Sequence, residues 1–308
     1  MPTVVVLLLL GLVVEVTGVA RPGAGGDAGE SVPGAGGAGD GSAGDAGGAA
    51  GGAVVAGGGA PDDGASATVA FADEISAELP DGGRYTTTSS GHFTYLNSAT
   101  RQAWEYFAEP AVPSESREES QGETTYRFAV AIEDSIDAAA FGGAESFASS
   151  VAATLADPRS WMSNPQWSFE PVASGQDPEV VIQLASTSLA EQLCGARNNI
   201  KTSCHLGGAN GQPNRVIINE ARWIRGSYAF EGDIGSYRQY VINHEMGHFV
   251  GFADHVPCPS EGALAPIMMQ QTIGVKNSVL HDFDPESVYP DNSITCLPNP
   301  WPYPQANR

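Results

Sequence analysis

Three stretches of the chain pack apolar residues closely and begin on polar ones: Thr125 to Glu133 (TYRFAVAIE), Glu179 to Ala185 (EVVIQLA) and Arg215 to Asn219 (RVIIN). Short runs rich in Val and Ile predict strands, with the second one buried. Ala144 to Leu155 is Ala-rich, too long for a typical strand, and stops at Asp157-Pro158, which predicts a helix. A second helix is predicted from about Ser236. There Ser236 and Gln239 make a capping-box pattern, and Asp233 and Gly235 break the chain just upstream. Tyr237, Val241, His244, His248 and Gly251 then recur at helical spacing, so one stripe carries two histidines. Helices and strands mix without a regular βαβ repeat or a dinucleotide glycine fingerprint, which predicts an α+β fold.

Upstream the pattern changes. Thr3 to Val14 (TVVVLLLLGLVV) has the length of a signal-peptide core, and Gly18-Val19-Ala20 supplies small residues for cleavage. No Lys or Arg precedes the run, so residues 1–20 read as a signal peptide or an N-terminal anchor. Between Arg21 and Ala60, 17 Gly and 11 Ala leave 28 of 40 residues with almost nothing to bury. Such a stretch cannot offset its backbone entropy, and residues 21–84 read as a disordered linker. Residues 85–308 are then the folding domain. About 220 residues can build one core without a metal as a prop, so a metal in it would serve chemistry.

Composition narrows the partners. The chain has 14 Lys+Arg against 36 Asp+Glu, a net charge of −22. From Tyr85 onward 12 basic residues face 25 acidic ones, leaving −13. This lacks the basic footprint that nucleic acid or an anionic lipid surface demands. Membrane contact is expected only through the N-terminal segment. The four cysteines, Cys194, Cys204, Cys258 and Cys296, are even in number in a chain that reads as exported, which implies two disulfides. Three pairings are possible. The expected one joins Cys194 to Cys204 across a short loop, and Cys258 to Cys296, tying the segment after the second helix to the Pro-rich C terminus.

The chemistry sits on that helix. His244-Glu245-Met246-Gly247-His248 is an H-E-x-x-H pattern, which a shuffled chain with 6 His and 20 Glu would show only about 0.008 times. Two histidines one turn apart can both reach one Zn²⁺, and Glu245 beside them can take a proton from water. Gly247 lets another segment approach the helix, and Gly251 can end it with a positive-φ turn. His255 and Asp254 follow at once, so three of the six histidines fall within 12 residues. The competing reading is an amphipathic helix whose histidines simply pack in a core. His205 and His281 are isolated and read as surface or structural residues.

The run HEMGHFVGFADH, His244 to His255, resembles the long motif of the metzincin zinc metallopeptidases, HExxHxxGxxH or HExxHxxGxxD. Ala265-Pro266-Ile267-Met268-Met269 is similar to the metzincin Met-turn, with Met268 or Met269 as its methionine. RVIINEARW, YRQYVINHEMGH, APIMMQQT and NPWPYP look more closely like a family of uncharacterised exported bacterial zinc metalloproteases. The resemblance covers roughly residues 85–304. It implies a zincin-like α+β domain, with a sheet-and-helix half above the metal helix and a small loop-rich C-terminal half carrying the Met-turn. It also implies zinc held by His244, His248 and a third ligand, Glu245 as catalytic base, and extended peptide or protein substrates.

The resemblance is not complete. Asp254 stands where the short motif puts the third ligand, one position before His255. In the exported family a histidine precedes a Cys-Pro pair, as in His255-Val256-Pro257-Cys258-Pro259. His255 is therefore the expected ligand, with Asp254 the alternative; as a non-ligand, Asp254 would orient a histidine through its other ring nitrogen. If Met268 is the Met, Gln270 stands where many metzincins have a tyrosine two residues on; Tyr289 is the candidate in its place, against the default reading of a packed or solvent-facing tyrosine. Two further functions fit the residues: zinc-dependent hydrolysis of cell-envelope amides such as peptidoglycan cross-bridges, and non-enzymatic display of a metal-binding domain on a tether. Glu245 argues against the last, since a purely structural site has no use for a base.

Overall fold

The structure, a computed structural model, describes residues 77–108, 124–172, 176–195 and 200–305. The readings of residues 1–20 and 21–76 lie outside them. In chain order the elements are β1 (Phe93–Tyr95), α1 (Asn97–Phe107), β2 (Thr124–Glu133), α2 (Ala144–Ala156), β3 (Trp167–Pro171) and β4 (Val180–Ala185). There follow α3 (Thr187–Cys194), β5 (Cys204–Leu206), β6 (Asn214–Asn219), α4 (Glu220–Arg225), α5 (Ile234–Phe249) and α6 (Asn277–Phe283).

The three apolar runs become β2, β4 and β6, the parallel centre of a six-stranded mixed sheet ordered β1-β2-β4-β6-β5, with β3 also paired to β2. β1 and β5 pair antiparallel to their neighbours. The whole of β4 is buried because both faces of the sheet are covered. On one face Phe128, Val130, Ile182, Leu184, Val216 and Ile218 join one core with Phe147, Val151 and Leu155 of α2 and Tyr237, Tyr240 and Val241 of α5. Each such large side chain is worth about 1.5–3 kcal/mol when fully buried, so this core fixes α5 beneath the sheet. On the other face, smaller clusters gather Ala129, Ala131 and Val181, and Ala185, Leu189 and Ile217.

Two boundaries differ from those read in the sequence. Order starts before Tyr85: the buried Arg222 donates to the carbonyls of Ala77 at 2.6 Å and Glu78 at 3.1 Å, and Arg225 donates to Gly83 O at 2.8 Å. A short polar segment shows no periodicity, and its anchors lie far along the chain. At α5 the N-cap is Asp233, whose carboxylate accepts from the Ser236 N–H at 3.0 Å, so Ser236 lies in the first turn rather than capping it. A carboxylate at a helix N-terminus also meets the favourable end of the helix dipole.

Gly251, at φ +111°, turns the chain just after α5. Beyond it the described residues hold one helix, α6, and the isolated bridges Leu264↔Leu297 and Lys276↔Thr295, a loop-rich part tied together by turns. The disulfides pair as expected, Cys194 with Cys204 and Cys258 with Cys296. They suggest an extracellular environment. No helix among the described residues is long and apolar enough to cross a membrane.

Candidate metal centre

α5 presents His244 and His248 one turn apart, with ring centroids 4.9 Å from each other. His255, on the loop beyond Gly251, returns to them, its ring centroid 5.3 Å from that of His244 and 5.4 Å from that of His248. One ring nitrogen from each of the three falls within 4.8 Å of the others, a group that could hold a metal ion. Asp254 is exposed and outside this group.

The hydrogen bonds fix which nitrogens point inward. His244 Nδ1–H donates to Ile267 O at 2.9 Å, and His248 Nδ1–H donates to Phe252 O at 2.7 Å. Each ring therefore turns the lone pair of Nε2 toward the group, the form a metal requires. Asp254 orients neither ring, because backbone carbonyls already hold both Nδ1 atoms. His244 Nε2 and His255 Nε2 are buried and have no protein partner.

The surroundings of all three imidazoles favour the neutral form. Burial, then the neighbouring His255 and His248, pushes His244 well below its ordinary value; burial and His248 bring His255 down to about 4. Burial lowers His248 as well. Glu245, next to His244 on α5, is buried, and burial lifts it to about 8, opposed by the backbone N–H of His205, which favours the carboxylate. Glu245 Oε2 has no partner in the protein. Orphaned polar atoms of this kind are costly unless something answers them.

A turn in the loop-rich C-terminal part packs against α5. Met269 N–H donates to Pro266 O at 2.9 Å, making a tight turn whose Ile267 carbonyl is the one that holds His244. The Met268 sulfur lies against Gly247. Tyr240 OH donates to Met269 O at 3.0 Å and anchors the turn to α5. Tyr289 is packed: its ring lies 6.3 Å from that of His255 and its hydroxyl accepts from Gln270 N–H at 2.8 Å.

One residue changes standing. His205 is isolated in the sequence, yet the pairing of β5 with β6 carries it to α5, 6.1 Å from the Phe249 ring and close enough to act on both Glu245 and His248. Its ring is held by Asn214 Oδ1 at 3.1 Å. His281 is structural, its Nδ1–H donating to Tyr289 O at 3.0 Å.

Residues 79–304 match the model of a family described as protein of unknown function (DUF3152). No curated protein and no solved structure matches the chain.

Proposed function

Because the chain belongs to the DUF3152 family, whose function is unknown, we propose from the site's own geometry that it is an exported zinc-dependent hydrolase of peptide bonds. The observation that carries this reading is the unpartnered Glu245 Oε2 beside three convergent histidines. Three neutral imidazoles fit zinc, which takes such nitrogens as ligands and, in catalytic sites, keeps a fourth position open. Zinc held by His244, His248 and His255 would supply Lewis acidity toward a carbonyl and a water molecule. Glu245 then accepts the water proton at Oε2 and delivers it to the leaving amine. Its burial lets it hold that proton between the two transfers, and the His205 N–H favours its ionised state before the first.

The likeness to metzincins fits the same residues. Met268, rather than Met269, is the methionine set against the metal helix, at Gly247. β5, at the edge of the sheet beside α5, offers backbone groups to an extended peptide.

The test is incubation of the purified chain with a peptide library, with and without a chelator, beside Glu245→Ala. Chelator-sensitive cleavage, lost in Glu245→Ala while about one zinc per chain is retained, is the expected result. Cleavage that survives either treatment, or a library left intact while envelope amides are cut, overturns it.

A further inference from the structure

His244 and His248 are fixed by a helix and by carbonyls on their Nδ1 atoms, but His255 stands on a loop whose preceding residues, Gly251 to Asp254, are exposed. On the N-terminal side Phe252 is tied to α5, its N–H donating to Gly247 O at 3.0 Å and its carbonyl accepting from His248, which leaves Ala253 and Asp254 before His255; the other hold comes from the C-terminal side. There Val256 N–H donates to Met268 O at 3.1 Å, and two residues later Cys258 is gripped by one side chain. Asn277 Oδ1 accepts from Cys258 N–H at 2.8 Å, and its Nδ2 donates to Cys258 O at 3.1 Å. The amide thus takes the place of a neighbouring strand and fixes the orientation of the Cys258 backbone. Asn277 is itself wholly buried, its Nδ2 also donates to Asn292 Oδ1 at 3.1 Å, and its backbone N–H donates to Ile294 O at 3.0 Å.

The link between this grip and the histidine is stiff. Pro257 has its φ locked by the ring, and Val256, β-branched and before a proline, is confined to extended backbone. An orientation imposed at Cys258 is therefore passed back to His255 with little slack. The disulfide to Cys296 holds the Cys258 side chain and leaves its N–H and C=O to be oriented by something else. From this geometry we infer that Asn277 is the positioning residue for His255, the third ligand of the metal centre. The inference rests on the metal centre and not on hydrolysis.

The test uses the full chain and two metals, zinc for affinity by competition with a chelator and Co(II) for its absorption bands, which report the ligand set. Asn277→Ala should bind zinc about 10–100-fold more weakly, and its Co(II) bands should move toward those of His255→Ala. Asn277→Asp keeps the acceptor and nearly the shape but loses the donor, so it should fall between wild type and Asn277→Ala; it also serves if the alanine variant does not fold. Glu133→Gln, at a residue whose partners are Ser89, Ser90, Gly91 and Ser186, should lower the melting temperature with zinc affinity and Co(II) bands unchanged. If Asn277→Ala or Asn277→Asp melts earlier yet binds zinc within about twofold of wild type with unaltered bands, Asn277 is only a packing residue. A wild type that binds neither metal removes the centre and this inference with it, whereas tight binding without cleavage removes only the proposed hydrolysis.

Discussion

Met268 occupies the space a side chain at Gly247 would need: a Cβ there would run into the Met268 sulfur and stand 2.8 Å from Trp161 Cζ2. Trp161 cannot yield easily, since its Nε1–H donates to Asn243 O at 2.8 Å. The contact therefore sets the height of the Pro266–Met269 turn against α5, and with it the carbonyl that orients His244.

Gly247→Ala should accordingly cost about 1–3 kcal/mol through overpacking and weaken metal binding by displacing Ile267 O. Adding Met268→Ala to it should recover part of both losses, because the nearer of the two clashes is removed. Thermal melts and chelator competition on the single and double variants measure this. A Gly247→Ala protein that melts and binds like wild type would show that the turn moves freely.

The choice between the two candidate third ligands is open to direct measurement. His255 Nε2 is buried without a partner, whereas Asp254 is exposed. His255→Ala should lower zinc affinity at least about 100-fold, and Asp254→Asn should change it by no more than about twofold. The reverse order in a chelator titration would return the role to Asp254.

Most of the candidate centre is legible in the sequence, because His244, Glu245 and His248 sit on one helix whose spacing writes their geometry into the chain, with Gly251 just beyond its end. The central strands are legible for a related reason: β2, β4 and β6 are buried over most of their length, so their apolar runs are nearly continuous, with Gln183 the polar residue inside that of β4. What escaped depends on chain segments meeting from afar. β5 is three residues long and shows no alternation, so nothing marks His205 as a neighbour of Glu245. Asn277 acts through two backbone groups 19 residues away, a relation no local pattern records. The capping-box pattern points three residues past the true cap of α5 because Asp233, Ser236 and Gln239 all carry capping chemistry, and only the backbone decides among them.

The two disulfides should fail differently. Cys258–Cys296 closes 38 residues and Cys194–Cys204 closes 10, so chain entropy puts their removal at about 4 and about 3 kcal/mol. The first lies three residues beyond His255, the proposed third ligand, so Cys258→Ser with Cys296→Ser should weaken zinc binding. The second holds β5, where His205 meets Glu245, so Cys194→Ser with Cys204→Ser should keep the zinc and slow hydrolysis. Zinc content and rate measured on the folded double variants separate the two, and equal zinc loss in both would contradict the division.

Acid should act on the two carboxylates that hold the N-terminal segment in opposite senses. Glu133 accepts from Ser89 Oγ at 2.6 Å, Ser90 N–H at 2.7 Å, Ser186 N–H at 2.8 Å and Gly91 N–H at 3.1 Å. Burial pushes Glu133 up, but the bonds from Ser89, Ser186 and Gly91 outweigh it and hold Glu133 below its ordinary 4.5. Its contribution to stability is therefore present above that value and lost as pH falls through the lower folded one. Glu220 accepts from Thr86 N–H at 2.7 Å and Thr86 Oγ1 at 3.2 Å, and here burial prevails, so its value is raised. Its contribution is complete below the ordinary value and fades as pH rises through the folded one. Glu133→Gln should therefore shrink the stability difference between neutral pH and about pH 3.5, and Glu220→Gln should enlarge it. Urea unfolding of the wild type and both variants at the two pH values decides the matter; changes of the same sign in both would mean that hydrogen bonding and burial are not balanced as the geometry has them.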